Sequence, residues 1–307
     1  MELTVLGGSG AWPRIGQGCS GYLVTEDHFR LLIDPGYGVT GELMRICDPA
    51  DIDAVLISHG HPDHCADLNP ILRARVLGSS RPPRLPVLAP PGAVDPVLAL
   101  DPIAAVGRGA ELVAAASGDV VRFGPFAVEV SELRHHITTY GMRITSDDGA
   151  VLAYTADSGD SPDRVELARS AGLLLAEVSY PEDIPAADAR YLSDARQVAR
   201  LAAEAAVGRC VITHLLPNVD PFRALALIRG AGFANVELAR PGLTRTVDAR
   251  PSTARLPRRG RRAAPEEDAA PDGDPVSRST PAEAVGEDGA PVISFSDAVP
   301  RRAGRRP

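Results

Sequence analysis

Lysine is missing from this chain: all 32 basic residues are arginine. Alanine is abundant, and together these features read as the mark of GC-rich coding, not as a functional signal. Aromatic residues are scarce at 4%, with a single tryptophan, while 44% of residues are hydrophobic. The core must therefore come mainly from Ala, Val, Leu and Ile, and 307 residues suffice for one large or two small domains. Cys19, Cys47, Cys65 and Cys210 show no paired spacing, which argues against a disulfide framework and suits a reducing cytoplasm. No apolar run reaches membrane-spanning length, so no membrane partner is expected. The opening "MELTVLGGSGAWPRIG" lacks the basic and apolar segments of an export signal, and a cytoplasmic location is expected. A net charge of -8 argues against broad, charge-driven binding to nucleic acid and leaves only a local basic groove open.

What is present divides near residue 248. From there the chain is rich in Pro, Arg, Ala, Asp and Glu, without hydrophobic period and almost without large apolar residues. Such a segment cannot offset its ordering entropy, and residues 248–307 are expected to form a disordered tail. Its "RLPRRGRR" and "RRAGRRP" could touch RNA or acidic partners, but the acidic block between them favours a solvated tail. Residues 1–247 read as one ordered domain. "ELTVL", "GYLVT", "FRLLIDP", "DAVLIS" and "LPVLAP" look like strands, with helical spacing in "CADLNPILRARVL" and from about Val94. "DVVRFGPFAVEVSEL" and "YGMRITSDDGAVLAYTAD" have hairpin patterns. Strands in "LLLAEV", "RCVITH" and "NVELAR" then alternate with helices in "SPDRVELARSAG", "LSDARQVARLAAEAA" and "PFRALALIRGAG". Hairpins combined with βα units predict an α/β protein with mixed sheets and outer helices.

The chemistry concentrates in "DAVLISHGHPDHCADL", residues 53–68, where His59, His61, Asp63 and His64 follow an apolar strand. Only seven histidines exist in the chain, so this clustering needs a cause. Other apolar strands also run straight into His or Asp: "VSELR" into His135 and His136, "VLAYTA" into Asp157, and "RCVIT" into His214. A partnerless imidazole or ionised carboxylate at a buried strand end is costly, so packing does not account for the pattern. The alternation His59-x-His61 lets two imidazoles converge on one ion, and Asp63 and His64 are displaced enough to serve a second. Imidazole and carboxylate donors suit Zn²⁺ or Mn²⁺, and the lack of convergent cysteines argues against a structural zinc cage.

These residues resemble the metallo-β-lactamase superfamily, whose signature is His-x-His-x-Asp-His with His, Asp and His at later strand ends. The resemblance covers residues 1 to about 247 and implies an α/β fold, a four-layer αβ/βα sandwich with two mixed β-sheets. It implies two divalent metal ions, Zn²⁺ ahead of Mn²⁺. His59, His61 and His135 would hold the first, Asp63, His64 and His214 the second, and Asp157 would bridge them. Asp34, in "LLIDPG", matches an early aspartate that braces the histidine loop. "RHHITTYGMRI" is similar to the His-x-x-x-x-Tyr-Gly-x-Arg pattern of the ribonuclease Z-like phosphodiesterase branch and selects His135 over His136 as ligand. "YTADS" resembles that branch's strand ending in the bridging aspartate.

Two departures shift the expected substrate. Ribonuclease Z inserts a tRNA-gripping arm between the third histidine and the bridging aspartate, whereas only 21 residues separate His135 from Asp157. The branch's leaving-group histidine is replaced in "RYLSDARQ" by Tyr191. The resemblance then narrows to compact enzymes that hydrolyse small phosphodiesters such as 3′,5′-cyclic nucleotides through a hydroxide bridging the two metals. Asp63 would orient that hydroxide, and Arg143 or amides of "GGSG" would meet the charge on phosphorus. Arg143 pairing with a carboxylate, and a plain turn at "GGSG", are equally compatible readings. Tyr191 or His136 would protonate the leaving oxygen, with His136 otherwise a supporting or surface imidazole. Cys65 is expected to pack at a helix start, and His28 to sit in a surface turn. An RNA nuclease and a lactone or thioester hydrolase remain as alternatives, and a homodimer is an expectation for such folds.

Overall fold

The computed structural model describes residues 1–80 and 82–249, so the tail expected over residues 248–307 lies outside the described residues from position 250 onward. The first sheet contains β1 (Glu2–Gly7), β2 (Gly21–Glu26), β3 (Phe29–Ile33), β4 (Ala54–Leu56), β5 (Leu85–Leu88) and β6 (Ala110–Val113). The second contains β7 (Val120–Phe123), β8 (Phe126–Leu133), β9 (Thr139–Ser146), β10 (Val151–Tyr154), β11 (Leu173–Glu177), β12 (Arg209–Thr213) and β13 (Val236–Leu238). A short β14 (Thr244–Thr246) returns to the free edge of β1, giving the orders β14-β1-β2-β3-β4-β5-β6 and β13-β12-β11-β10-β9-β8-β7. Both sheets are mixed. Antiparallel pairing runs from β14 through β3 and from β7 through β10, and parallel pairing runs from β3 to β6 and from β10 to β13.

Period-two alternation decides which residues meet which layer. Leu31 and Ile33 point into the core between the sheets, where they meet Val128, Met142, Leu152, Tyr154 and Leu175. Leu32 and Val55 face outward onto α1 (Val39–Leu43) and α3 (Leu68–Leu77) through Leu43, Leu68, Ile71 and Leu72. On the other side Ala153, Leu174 and Ile212 pack against α6 (Pro162–Ala168), α7 (Ala195–Glu204) and α8 (Pro221–Gly230). Short helices α2 (Pro62–Cys65), α4 (Asp95–Ala99) and α5 (Ala104–Gly107) complete the first half. The result is the four-layer αβ/βα sandwich. Each fully buried leucine here contributes about 1.5–3 kcal/mol, and aliphatic side chains dominate all three clusters.

Local chemistry sets the ends of the elements. The β9–β10 hairpin turns at Gly149, whose φ of 84° is in the left-handed region that glycine adopts without cost. Asp194 caps α7 by accepting from the Gln197 amide while the Gln197 side chain accepts from the Asp194 amide, a reciprocal capping box. Among the described residues, no helix is long and apolar enough to cross a membrane.

Candidate metal centre

The strand ends deliver the polar residues to one place between the sheets. β4 leads into His59 and His61, and α2 carries Asp63 and His64; β8, β10 and β12 run out towards His135, Asp157 and His214. The donor atoms fall into two groups, His59 with His61 and His135, and Asp63 with His64, Asp157 and His214. In the first, His61 Nδ1 lies 3.1 Å from His59 Nε2 and 3.2 Å from His135 Nε2. In the second, His214 Nε2 lies 3.1 Å from Asp63 Oδ2 and 3.2 Å from Asp157 Oδ2, and His64 Nε2 lies 3.3 Å from Asp157 Oδ1. Asp157 Oδ2 is also 3.9 Å from both His59 Nε2 and His135 Nε2, so this carboxylate reaches both groups. His136 stays outside the donor set. Its ring lies against Tyr191 with centroids 4.2 Å apart, and its Nε2 is 3.5 Å from Asp188 Oδ1.

Four of the five histidines are aimed by a partner on the opposite ring nitrogen, which fixes how Nε2 points. His64 Nδ1 donates to Asp34 Oδ2 at 2.8 Å, and His135 Nδ1 donates to the Tyr191 carbonyl at 3.1 Å. Ser58 Oγ lies 3.0 Å from His59 Nδ1, and Ser179 Oγ lies 3.1 Å from His214 Nδ1. His61 is the exception, turning Nδ1 itself inward. Asp34 is the hub behind the first sheet's contribution. Besides His64 it accepts from the Ser58 amide (2.7 Å), Ser58 Oγ (2.6 Å) and the Tyr154 hydroxyl (2.7 Å).

A second hub was not legible as a functional residue. Glu177 ends the apolar run "LLLAE" and is fully buried. Its Oε1 accepts from the amides of Ser179 (2.7 Å) and Ser193 (3.2 Å). Ser179 holds His214, and Tyr191, two residues before Ser193, holds His135. One carboxylate thus ties together the segments that support donor histidines from two strands. Its signal in the sequence is a lone charge closing a wholly apolar strand.

The backbone is strained in the same place. Seven described non-glycine residues have left-handed φ, and four of them surround the donors: Ala11 (59°), Asp34 (46°), Ala156 (47°) and His214 (59°). Such conformations cost about 1–3 kcal/mol each and persist only where neighbours enforce them. The enforcement is visible. The Ala11 amide donates to Asp63 Oδ2 at 2.9 Å, and the His214 amide donates to the Gly8 carbonyl at 2.9 Å. A Cβ on Gly10 would stand 2.5 Å from the His214 carbonyl and 2.9 Å from its Nδ1, so the loop approaches the histidine as closely as glycine allows.

Charge explains what the cluster asks for. Burial and the neighbouring histidines hold His59 well below the ordinary histidine range, and burial also lowers His61 and His135. These three are neutral. Burial opposes charge on His64 and His214 too, but Asp157 and Asp63 outweigh it and raise both. Against the cost of burial, the facing imidazoles keep Asp63 and Asp157 below the usual carboxylate range. Buried His64 Nε2 and Asp157 Oδ1 have no hydrogen-bond partner among the described residues. His135 spends its Nδ1 proton on the Tyr191 carbonyl, and one proton on His61 Nδ1 cannot serve both facing nitrogens. Orphaned donor atoms and convergent lone pairs fit cations held by these seven side chains.

Two expected roles do not survive the geometry. Arg143 lies on the outer face of β9, beside Ala153 and Glu129, where its Nη1 donates to the carbonyls of Leu167 and Arg169 at 2.9 Å each. It closes the end of α6 and is turned away from the donors because the strand's alternation puts Met142 and Ile144, not Arg143, into the inter-sheet core. The "GGSG" amides are also committed elsewhere: Gly8 and Ser9 donate to Gly18, and Gly10 to Leu215. The amide that reaches the site belongs to Ala11. Tyr191 does arrive, but through its carbonyl as well as its ring. Cys65 donates from Sγ to the Gly60 and His61 carbonyls, and burial pushes its thiol up to about 12.

Sandwich and donor set together define a hydrolase of the metallo-β-lactamase fold. A family model described as beta-lactamase superfamily domain matches residues 29–215, and the chain belongs to that superfamily. It is 29% identical to the probable metallo-hydrolase YhfI of Bacillus subtilis (strain 168), over 70% of this chain and 87% of that one. The YhfI crystal structure, described as a metallo-beta-lactamase fold protein, superposes with a TM-score of 0.71 at 27% identity, covering 79% of this chain and 97% of its own. The chain is also 33% identical to protein Rv1339 of Mycobacterium tuberculosis (strain ATCC 25618 / H37Rv), over 71% of this chain and 81% of that one. It is 27% identical to ribonuclease Z of Myxococcus xanthus (strain DK1622), over 80% and 97% of the two chains.

Proposed function

We propose that the protein is a dinuclear metal-dependent phosphodiesterase acting on small phosphodiesters, with 3′,5′-cyclic nucleotides as the leading class. The observation that carries this reading is the pair of donor groups, with Asp157 in the second and 3.9 Å from two histidines of the first, combined with a β9–β10 hairpin that takes up the chain between His135 and Asp157. That hairpin pairs residue for residue from Thr145 with Val151 to Met142 with Tyr154, and it leaves no length for an arm that grips tRNA. Two divalent cations, Zn²⁺ ahead of Mn²⁺, would supply Lewis acidity, acidifying water and screening the negative charge of the phosphoryl group. His59, His61 and His135 would hold one; Asp63, His64 and His214 the other; and Asp157 both. Asp63 keeps its carboxylate fixed through the Ala11 amide and so orients the attacking water. At the rim, His136 stands beside His135 with Asp188 behind it. As a class, imidazoles give up a proton to a leaving oxygen more readily than phenols do, which favours His136 over Tyr191 as the donor. Tyr191 then packs against that donor and orients His135 through its carbonyl.

The test combines metal analysis with a substrate panel of cyclic AMP, bis-p-nitrophenyl phosphate, a lactone, a thioester and precursor tRNA. Both cations should be retained and the phosphodiesters turned over. Less than one cation per chain after Zn²⁺ or Mn²⁺ is added would end the dinuclear reading. Turnover of lactone or thioester alone would make the protein an acyl hydrolase, and cleavage of precursor tRNA alone would make it an RNA nuclease.

A further inference from the structure

The loop of residues 8–17 exposes apolar side chains although its backbone is tied down at every turn. Gly10 donates to the Leu215 carbonyl (3.0 Å), the Arg14 guanidinium to the Leu216 carbonyl (2.9 Å), and Arg14 and Gln17 exchange backbone bonds at 3.0 Å. Trp12 is held by two further bonds, its amide donating to Gly10 (2.7 Å) and its carbonyl accepting from Ser9 Oγ (2.8 Å). The residue before it, Ala11, is the one whose amide sits 2.9 Å from Asp63 Oδ2. Yet Trp12 remains 49% exposed, and Ile15 is fully exposed. The chain's one tryptophan thus keeps about half of its surface in water, one residue beyond the amide that reaches Asp63, on an anchored backbone. Trp12 and Ile15 together put exposed apolar side chains on the loop whose amide holds Asp63, a placement that a substrate-contact surface would use.

We infer that Trp12 is a specificity-determining residue that stacks on the planar aromatic group of the substrate, a nucleobase in the leading class. The inference rests on the phosphodiesterase reading for the identity of that substrate. The Trp12 backbone is anchored before binding, so only the side chain's own rotamer has to be ordered on the encounter. A base stacked on an aromatic side chain gains affinity through its π-face irrespective of base identity, so Trp12 selects for the presence of a base and not for its sequence. The reacting phosphorus would lie over the donors while the base lies on the Trp12 side, next to Ala11 and Asp63.

The single tryptophan makes the test direct, because intrinsic indole fluorescence reports on Trp12 alone. Titration of the metal-loaded protein with adenosine monophosphate should quench it saturably, while ribose 5-phosphate should not. Trp12→Ala should raise KM for cyclic AMP about tenfold with kcat within about twofold, and leave KM for glycerol 1,2-cyclic phosphate unchanged. Trp12→Phe should recover most of the loss. Equal quenching by both phosphates, or equal KM effects on both substrates, would overturn the inference. So would fluorescence that follows protein concentration in place of ligand, which would mark the loop as a contact between copies of the chain. If wild-type protein turns over neither phosphodiester, the phosphodiesterase reading fails, and the titration still decides whether Trp12 binds a base.

Discussion

The two sheets feed the same site by opposite routes. The first supplies four donors from one short stretch, His59 to His64, backed by Asp34 at the end of the neighbouring strand. The second supplies three donors from three strand ends, two of which, His135 and His214, are backed by Glu177 through Ser179 and the Ser193–Tyr191 segment. Local delivery needs one well-satisfied buried carboxylate. Dispersed delivery needs a carboxylate that couples separate segments, and there the satisfaction is incomplete: Glu177 Oε2 and the Nε and Nη2 of buried Arg164 have no hydrogen-bond partner among the described residues.

This contrast can be broken at several points. Asp157→Ala should have the largest effect, abolishing turnover and releasing both cations, because among the described residues the Asp157 carboxylate is the one within 4 Å of donors in both groups. Metal analysis after dialysis checks this, and retention of one full cation would show that the two groups bind independently. Asp34→Ala should follow, weakening metal binding about 100-fold, and Glu177→Ala about tenfold, measured by competition with a chromophoric chelator. Glu177→Gln should restore most of its loss, since the acceptor for Ser179 and Ser193 remains. Asp34→Asn should not, since an amide cannot accept from four donors.

The groups also oppose each other in pH. His59, His61 and His135 are depressed, so stability is lost as pH falls below about 6.5, where the unfolded chain takes up protons that these residues refuse. His64 and His214 are raised, so the stability from their charged forms is complete below about 6.5 and lost as pH rises through their raised values. Thermal melts of chelator-stripped protein should therefore peak near pH ~6.5 and decline on both sides. Loading with Zn²⁺ should remove the alkaline decline, because the cation replaces those protons. A stripped protein that keeps gaining stability above the peak would show that the second group is neutral too. The smallest effect on activity is expected from Arg143→Met: stability falls by about 1–3 kcal/mol as two carbonyls at the end of α6 lose their donor, while kcat/KM per folded molecule stays unchanged.

What was legible in the sequence follows the same division. Strands buried on both faces, such as "FRLLI" and "LLLAE", and the reciprocal hairpins announced themselves through composition and turn residues. Two strands were silent. β6 presents Glu111 and Leu112 to solvent at a sheet edge, and β14 is three residues of Thr-Arg-Thr closing the other edge, so neither carries an apolar period. The donor set was readable because imidazoles and carboxylates at strand ends are conspicuous. Its backbone supports were not: the Ala11 amide and the Tyr191 carbonyl belong to groups that every residue possesses, and only the folded chain says which of them point at the site. Arg143 misled for the reverse reason, since a guanidinium beside a histidine motif looks functional until strand alternation turns it outward.

The four left-handed residues around the donors bear on how such a gene can drift. Glycine suits those angles, and in GC-rich coding a single base change converts alanine to glycine at Ala11 or Ala156. Either exchange would release about 1–2 kcal/mol of left-handed strain. It would also free the backbone that holds the Asp63 carboxylate in one case, or precedes Asp157 in the other. Random change at these codons therefore leads towards sturdier proteins with a looser donor set, and selection on whatever that set does would keep the alanines in place.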